Sequence, residues 1–100
     1  MALKIFWSKY ADKSFDLIVT YLQCNWGDHT VSLFVKKVFE FLETISEFPE
    51  IGSIENADLN IRGFVIIKQI TIFYKVRKEK IIILNFYDNR QRPKRIRFNK

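Results

Sequence analysis

The chain has 100 residues, 48% of them apolar, and its 17 Lys and Arg against 11 Asp and Glu give a formal net charge of +6. That length supports one core and one domain over residues 1–100, and only 3 Gly and 2 Pro exclude a disordered or repetitive chain. The lone Cys24 excludes an internal disulfide and fits a reducing cytoplasm, while Arg62, Lys68 and Lys75 interrupt the most apolar region, Ile61 to Val76, before it reaches the ~20 residues of a membrane span. Lys4, Lys9, Asp12 and Lys13 break the only N-terminal stretch that could resemble a signal peptide, so a cytoplasmic location is expected.

Leu3 to Trp7 alternates as a short strand, and Ser8 follows as a helix N-cap. Ala11, Phe15, Ile18, Leu22 and Trp26 then recur at spacings of 4, 3, 4 and 4, the stripe of one helix face, on which Cys24 reads as buried or half-buried. Gly27 ends this helix in a left-handed cap and Asp28 caps the next, whose Val31, Phe34, Val35, Val38, Leu42 and Ile45 form a second stripe. Pro49 stops it. Two amphipathic helices joined so tightly predict an antiparallel αα-hairpin. Glu50 to Asn60 reads as a polar loop. Ile61–Ile67, Ile70–Val76 and Ile81–Tyr87 are β-branched and aromatic, and the short gaps between them permit hairpins only, giving an antiparallel meander. The predicted class is α+β in the order β-α-α-β-β-β, with the helices on one face of the sheet.

The charge is unevenly spread. Arg90, Arg92, Lys94, Arg95, Arg97 and Lys100 fall in the last eleven residues, where no acidic residue occurs, so the preceding 89 residues balance at 11 cations and 11 anions. Such a localised field points at a negative partner. Catalytic chemistry is harder to find. One His (His29) and one Cys cannot make a metal site, no nucleophile–base–orienter set is available, and Gly27, Gly52 and Gly63 cannot form a phosphate loop. No metal or cofactor is expected. What remains is a cationic group on the strands, Arg62, Lys68, Lys75 and Arg90, with Tyr74 and Tyr87 nearby. Arg and Lys hold phosphates and stabilise developing charge, and Tyr stacks on bases or moves protons. The plain alternative, which alternation alone predicts, is that Arg62, Lys68 and Lys75 are solvated outward positions.

In element order and in several phrases the chain resembles the RelE/ParE superfamily of toxins from bacterial type II toxin–antitoxin modules. Tyr21-Leu22-Gln23-Cys24-Asn25-Trp26-Gly27-Asp28 resembles the end of the family's first helix, and Glu47-Phe48-Pro49-Glu50-Ile51-Gly52 its exit from the second. Ile61-Arg62-Gly63-Phe64-Val65-Ile66 and Ile70-Thr71-Ile72-Phe73-Tyr74-Lys75-Val76 are similar to its strands, and Arg90 and Pro93 match its basic ending. The resemblance implies a growth-arresting toxin neutralised by a cognate acidic antitoxin that wraps around it as a hetero-oligomer.

The superfamily's targets divide it. RelE-like members cleave mRNA on the ribosome with basic residues and a C-terminal Tyr or His, whereas ParE-like members lack that set and poison DNA gyrase. Here Asp88 stands where the terminal His is found, no Tyr or His follows Arg90, and the helical hairpin of about forty residues is ParE-like in length. The resemblance therefore favours a ParE-like toxin over an mRNA interferase. If the chain is a nuclease, Arg62, Lys68, Arg90 and Tyr87 are the catalytic candidates. In either case Arg62, Lys75, Arg90, Arg92, Lys94 and Arg95 are the candidates for holding the target. A third reading is an inactive relative that only binds an acidic protein. A plain nucleic-acid binder fits less well, because most aromatics fall on core-facing positions.

Overall fold

The computed structural model describes residues 2–89. Strand β1 (Lys4–Trp7) leads into α1 (Lys9–Trp26) and α2 (Asp28–Glu47), followed by β2 (Ser53–Asn56), β3 (Ile61–Ile67), β4 (Ile70–Arg77) and β5 (Lys80–Asp88). The five strands form one sheet in the order β1-β5-β4-β3-β2. β5, β4, β3 and β2 are successive antiparallel neighbours, and β1 lies parallel to β5, so pairing is mixed. A parallel neighbour requires a long crossover, and the helical hairpin supplies it.

Ser8 caps α1 as its position predicts, its Oγ accepting from the Ala11 N–H at 2.9 Å. The same hydroxyl donates to the Leu84 carbonyl, which ties the start of the helix to β5. Between the helices stands Gly27 alone, at φ 91° and ψ 179°. This is an extended mirror-image conformation available in practice only to glycine, and not the left-handed helical one expected. Asp28 is the first residue of α2 and not its side-chain cap; its Oδ1 accepts instead from Gln23 Nε2 across the turn. α2 ends at Glu47, before Pro49.

Three further expectations are corrected. Residues 50–60 are not all loop: Ser53–Asn56 pairs with β3 as an edge strand, although its side chains are mostly exposed and lack a strand pattern. Cys24 is exposed. Trp26, which continues the apolar stripe of α1, is 53% exposed at the tip of the hairpin.

Both helices lie against the same sheet face. Leu22 of α1, Phe34, Val38 and Ile45 of α2, and Ile70, Ile72, Tyr74, Ile81 and Ile83 of the sheet are fully buried in one cluster. Its aromatic centre joins Trp7, Phe15, Phe34 and Phe86, with ring centroids 5.3–6.2 Å apart. A second aromatic group stacks Phe41 of α2 on Phe64 at 4.5 Å and sets Phe41 edge-on to Tyr74. The opposite sheet face carries a small separate cluster of Ile61, Phe73 and Leu84, with Leu59, Ile82 and Tyr87 against it. A register shift between Phe73 and Tyr74 gives β5 one extra residue there, so both Ile83 and Phe86 reach the helix side. No helix among the described residues is long and apolar enough to cross a membrane.

Candidate functional site

Register decides where the predicted strand cations go. Arg62 lies opposite Tyr74, whose ring is buried on the helix side, so the guanidinium emerges at the helix side of the sheet and not on the solvated face. There Arg62 Nη1 donates to the carbonyls of Glu50 at 3.0 Å and Gly52 at 2.7 Å. Tyr74 completes the arrangement: its hydroxyl accepts from the Gly52 N–H at 2.9 Å and donates to the Pro49 carbonyl at 2.8 Å. Together the two side chains fasten the exit from α2 to the sheet. Gly52 is needed for closeness, since a Cβ there would lie 2.7 Å from the Tyr74 hydroxyl oxygen and 2.8 Å from the Gly63 carbonyl oxygen. Burial raises the Tyr74 pKa above its ordinary value of 10.0, partly opposed by the Gly52 hydrogen bond and by Arg62, so the phenol stays protonated. It is a structural donor and not a poised base.

Lys68 and Tyr87 are elsewhere. Lys68 is exposed in the β3–β4 turn, with its carbonyl accepting from Asn89 Nδ2 at 3.2 Å. Tyr87 sits opposite Thr71 on the face away from the helices, half-buried, with its ring edge-on to Phe73 at 6.2 Å. Asn89 closes this end: its N–H donates to the Gln69 carbonyl at 2.7 Å and its Oδ1 accepts from the Thr71 hydroxyl. Lys68, Tyr87, Asp88 and Asn89 thus share the sheet end from which the chain continues to Arg90. Arg62 is six residues along the strand from Lys68, about 20 Å at ~3.3 Å per residue. Lys75 stands near the Arg62 end, opposite Ile61 and Ile82, half-buried on the open face. Arg90, Arg92, Lys94 and Arg95 lie outside the described residues. The candidates therefore divide between the two ends of the sheet and between its two faces.

The sequence reading missed two features. One is the pairing of Tyr74 with the α2 exit, for which a tyrosine inside an apolar strand was the available signal. The other is a concentration of cations at the β4–β5 turn, where Lys4 registers with Lys80 and Lys80 with Arg77. Arg77-Lys78-Glu79-Lys80 is only a short gap between strands in the sequence, and its proximity to Lys4 depends on the parallel pairing of β1. Among the described residues, no three His, Cys, Asp or Glu side chains are grouped so as to hold a metal ion.

The fold recurs among solved structures. The chain is similar to a chain in the structure of the chromosomal ParDE TA system from P. aeruginosa, with TM-score 0.70 and 15% identity over 87% of this chain and 96% of that one. A YoeB/ParE toxin from Agrobacterium tumefaciens superposes with TM-score 0.65 at 12% identity, over 86% of this chain and 98% of its own. The YoeB dimer from Staphylococcus aureus gives TM-score 0.58 at 22% identity, covering 85% and 94%. At these identities the likeness shows the fold alone. No protein of curated function matches the sequence significantly. The family model for the ParE toxin of the type II toxin–antitoxin system, parDE, matches residues 5–93, nearly the whole chain, and the protein belongs to that family.

Proposed function

We propose that this toxin arrests growth by acting on DNA gyrase and replication, and that a cognate acidic antitoxin holds it silent in a cytoplasmic hetero-oligomer. The observation that carries the reading is the separation of the would-be catalytic groups. Arg62 spends its guanidinium on the Glu50 and Gly52 carbonyls, about 20 Å along the strand from Lys68, while Tyr87 lies two strands away on the opposite face of the sheet. Cleavage of RNA needs a base and a cation within hydrogen-bonding reach of one phosphodiester, and Arg62 and Lys68 cannot converge on one. In a gyrase-type toxin the same side chains need only bind or support the fold. An antitoxin partner agrees with the family and with the similarity in fold to the toxin of the YoeB–YefM complex from Staphylococcus aureus (TM-score 0.55).

One observation favours the second reading, a ribosome-dependent mRNA interferase. Lys68, Tyr87 and Asp88 do share a sheet end, and Arg90 follows Asp88 two residues on in sequence. The two readings separate in a pulse-label experiment after inducing the toxin alone in a bacterial host. On the gyrase reading thymidine incorporation collapses before amino-acid incorporation, and the reverse order would overturn it. The double substitution Lys68→Ala with Tyr87→Phe, which removes an exposed amine and one hydroxyl while keeping the ring, is expected to leave arrest intact; a hundredfold or greater loss of toxicity would instead assign these groups to catalysis.

A further inference from the structure

At the β4–β5 turn an open groove of about 890 Å³ wraps over the edge of β1. It runs from Leu3, which packs against the helix-side core, to Lys4 and Phe6, which alternation places on the other face. Lys4, Arg77, Lys78 and Lys80 line it, with Glu79 as its one carboxylate. Register sets three of these cations in a row. Lys4 of β1 stands opposite Lys80 of β5, and Lys80 opposite Arg77 of β4, so like charges face one another across three adjacent strands. At ~4.8 Å between strands the row spans about 10 Å. Like charges in directly opposed positions destabilise a sheet, and a ligand with closely spaced negative charges relieves that repulsion. All four cations are exposed, and none has an ion-pair partner among the described residues.

We propose that the Lys4–Lys80–Arg77 row, with Lys78 at the turn, binds the phosphate backbone of duplex DNA without reading its sequence. The duplex carries one negative charge per ~1.7 Å of its axis, dense enough to offer a phosphate to every cation of so short a row. The lysines act there as point charges on flexible stems, and Arg77 adds a planar fork that matches a phosphate. The contact needs no aromatic platform. Lys80 Nζ already lies 5.7 Å from the centre of the Phe6 ring, so a single strand, which binds by stacking its bases, lacks a free partner for them here. A membrane surface is served less well. Insertion needs apolar bulk, and beside the half-exposed Phe6 the groove offers only Ala2 and the core-packed Leu3. The chain leaves for its basic C-terminal run from the other end of β5, so the two basic regions are distinct. The inference goes beyond the gyrase reading and stands without it, because the isolated protein binds the duplex.

The test follows full-length protein binding a short, fluorescently labelled DNA duplex of mixed sequence over a series of salt concentrations. Each cation that holds a phosphate contributes ~0.9 to the slope of log affinity against log salt. Lys4→Ala with Lys80→Ala is therefore expected to lower that slope by about 1.8 and to weaken binding about tenfold at low salt. In ¹⁵N-labelled protein the duplex is expected to shift the backbone amides of residues 3–6 and 77–82, and the unbound variant should keep the remaining amide spectrum as evidence of folding. An unchanged salt slope in the folded variant, or shifts confined to the C-terminal run, would overturn the proposal. A single strand bound more tightly than the duplex at these residues would overturn the assignment to duplex DNA. Phosphatidylglycerol vesicles that perturb residues 3–6 and 77–82 where the duplex does not would overturn it in favour of a membrane surface. Failure of the gyrase reading would show in the order of pulse-label collapse and not in these measurements.

Discussion

The two faces of the sheet reconcile polar groups with burial by opposite means. On the helix side, the buried hydroxyl of Tyr74 both accepts and donates, and the neighbouring Arg62 is satisfied by two carbonyls. On the other side the apolar cluster is small, cations stand beside one another, and the buried Asn85 keeps an Oδ1 with no partner among the described residues. Complete pairing marks the face whose contacts hold the fold. Incomplete pairing on the other is a departure of the kind that proteins commonly show at places used for binding, and it sets the two faces apart.

The comparison is most easily broken in the helix-side core. Phe34 is fully buried among Phe15 and Phe86, so Phe34→Ala removes a ring that three elements share. A loss of about 3–5 kcal/mol is expected in denaturant unfolding. A loss below ~1 kcal/mol would mean that the aromatic centre is loosely packed and that the contrast between the faces is not one of stability.

Tyr74→Phe asks a finer question of the same face. The ring stays, but the Gly52 N–H and the Pro49 carbonyl lose their partner, at an expected cost of about 1–3 kcal/mol. The pH dependence gives a second signature. Burial holds the folded phenol above its ordinary value of 10.0, so between the unfolded and folded pKa values the unfolded chain has released a proton that the native state retains. Stability from this group is therefore full below pH ~10 and falls as pH rises through the folded value. Tyr74→Phe should remove that part of the alkaline decline in thermal unfolding. Parallel alkaline profiles for the two proteins would show that the phenol is not held protonated by the fold.

How far the sequence discloses this arrangement depends on which residues carry the information. The helices and β3, β4 and β5 are legible because their burial is periodic: Phe34, Val38, Leu42 and Ile45 repeat along a helix, and Ile70, Ile72 and Tyr74 alternate along a strand. β2 is not legible. Its side chains face solvent, and its pairing comes from the backbone of β3, which no side-chain pattern in Ser53–Asn56 records. The stripe on α1 points correctly toward the core but says nothing of where the core ends, so Trp26 is exposed. Alternation also leaves open which side of the sheet Arg62 occupies. Its register with Tyr74 decides that, and with it the difference between a solvated cation and a structural tie. The cations at the β4–β5 turn are hidden for another reason. Summed along the chain they cancel against acidic residues, whereas in space Lys4, Lys80 and Arg77 are adjacent.

The smallest predicted effect tests the open face directly. Asn85 is 8% exposed, and its Oδ1 is buried without a hydrogen bond. An unpaired buried acceptor retains its desolvation penalty, and exchanging it for an apolar group of similar shape removes that penalty. Asn85→Leu places a methyl against Phe73, its register partner, and is expected to raise stability by up to about 1 kcal/mol. A loss of more than ~1 kcal/mol would indicate that the amide is satisfied in solution, and the open face would then be as well paired as the helix side. If the variant is stabilised yet less toxic or less able to bind a partner, the unpaired amide belongs to the functional surface. Its stability cost would then be the measure of what that face gives up in order to bind.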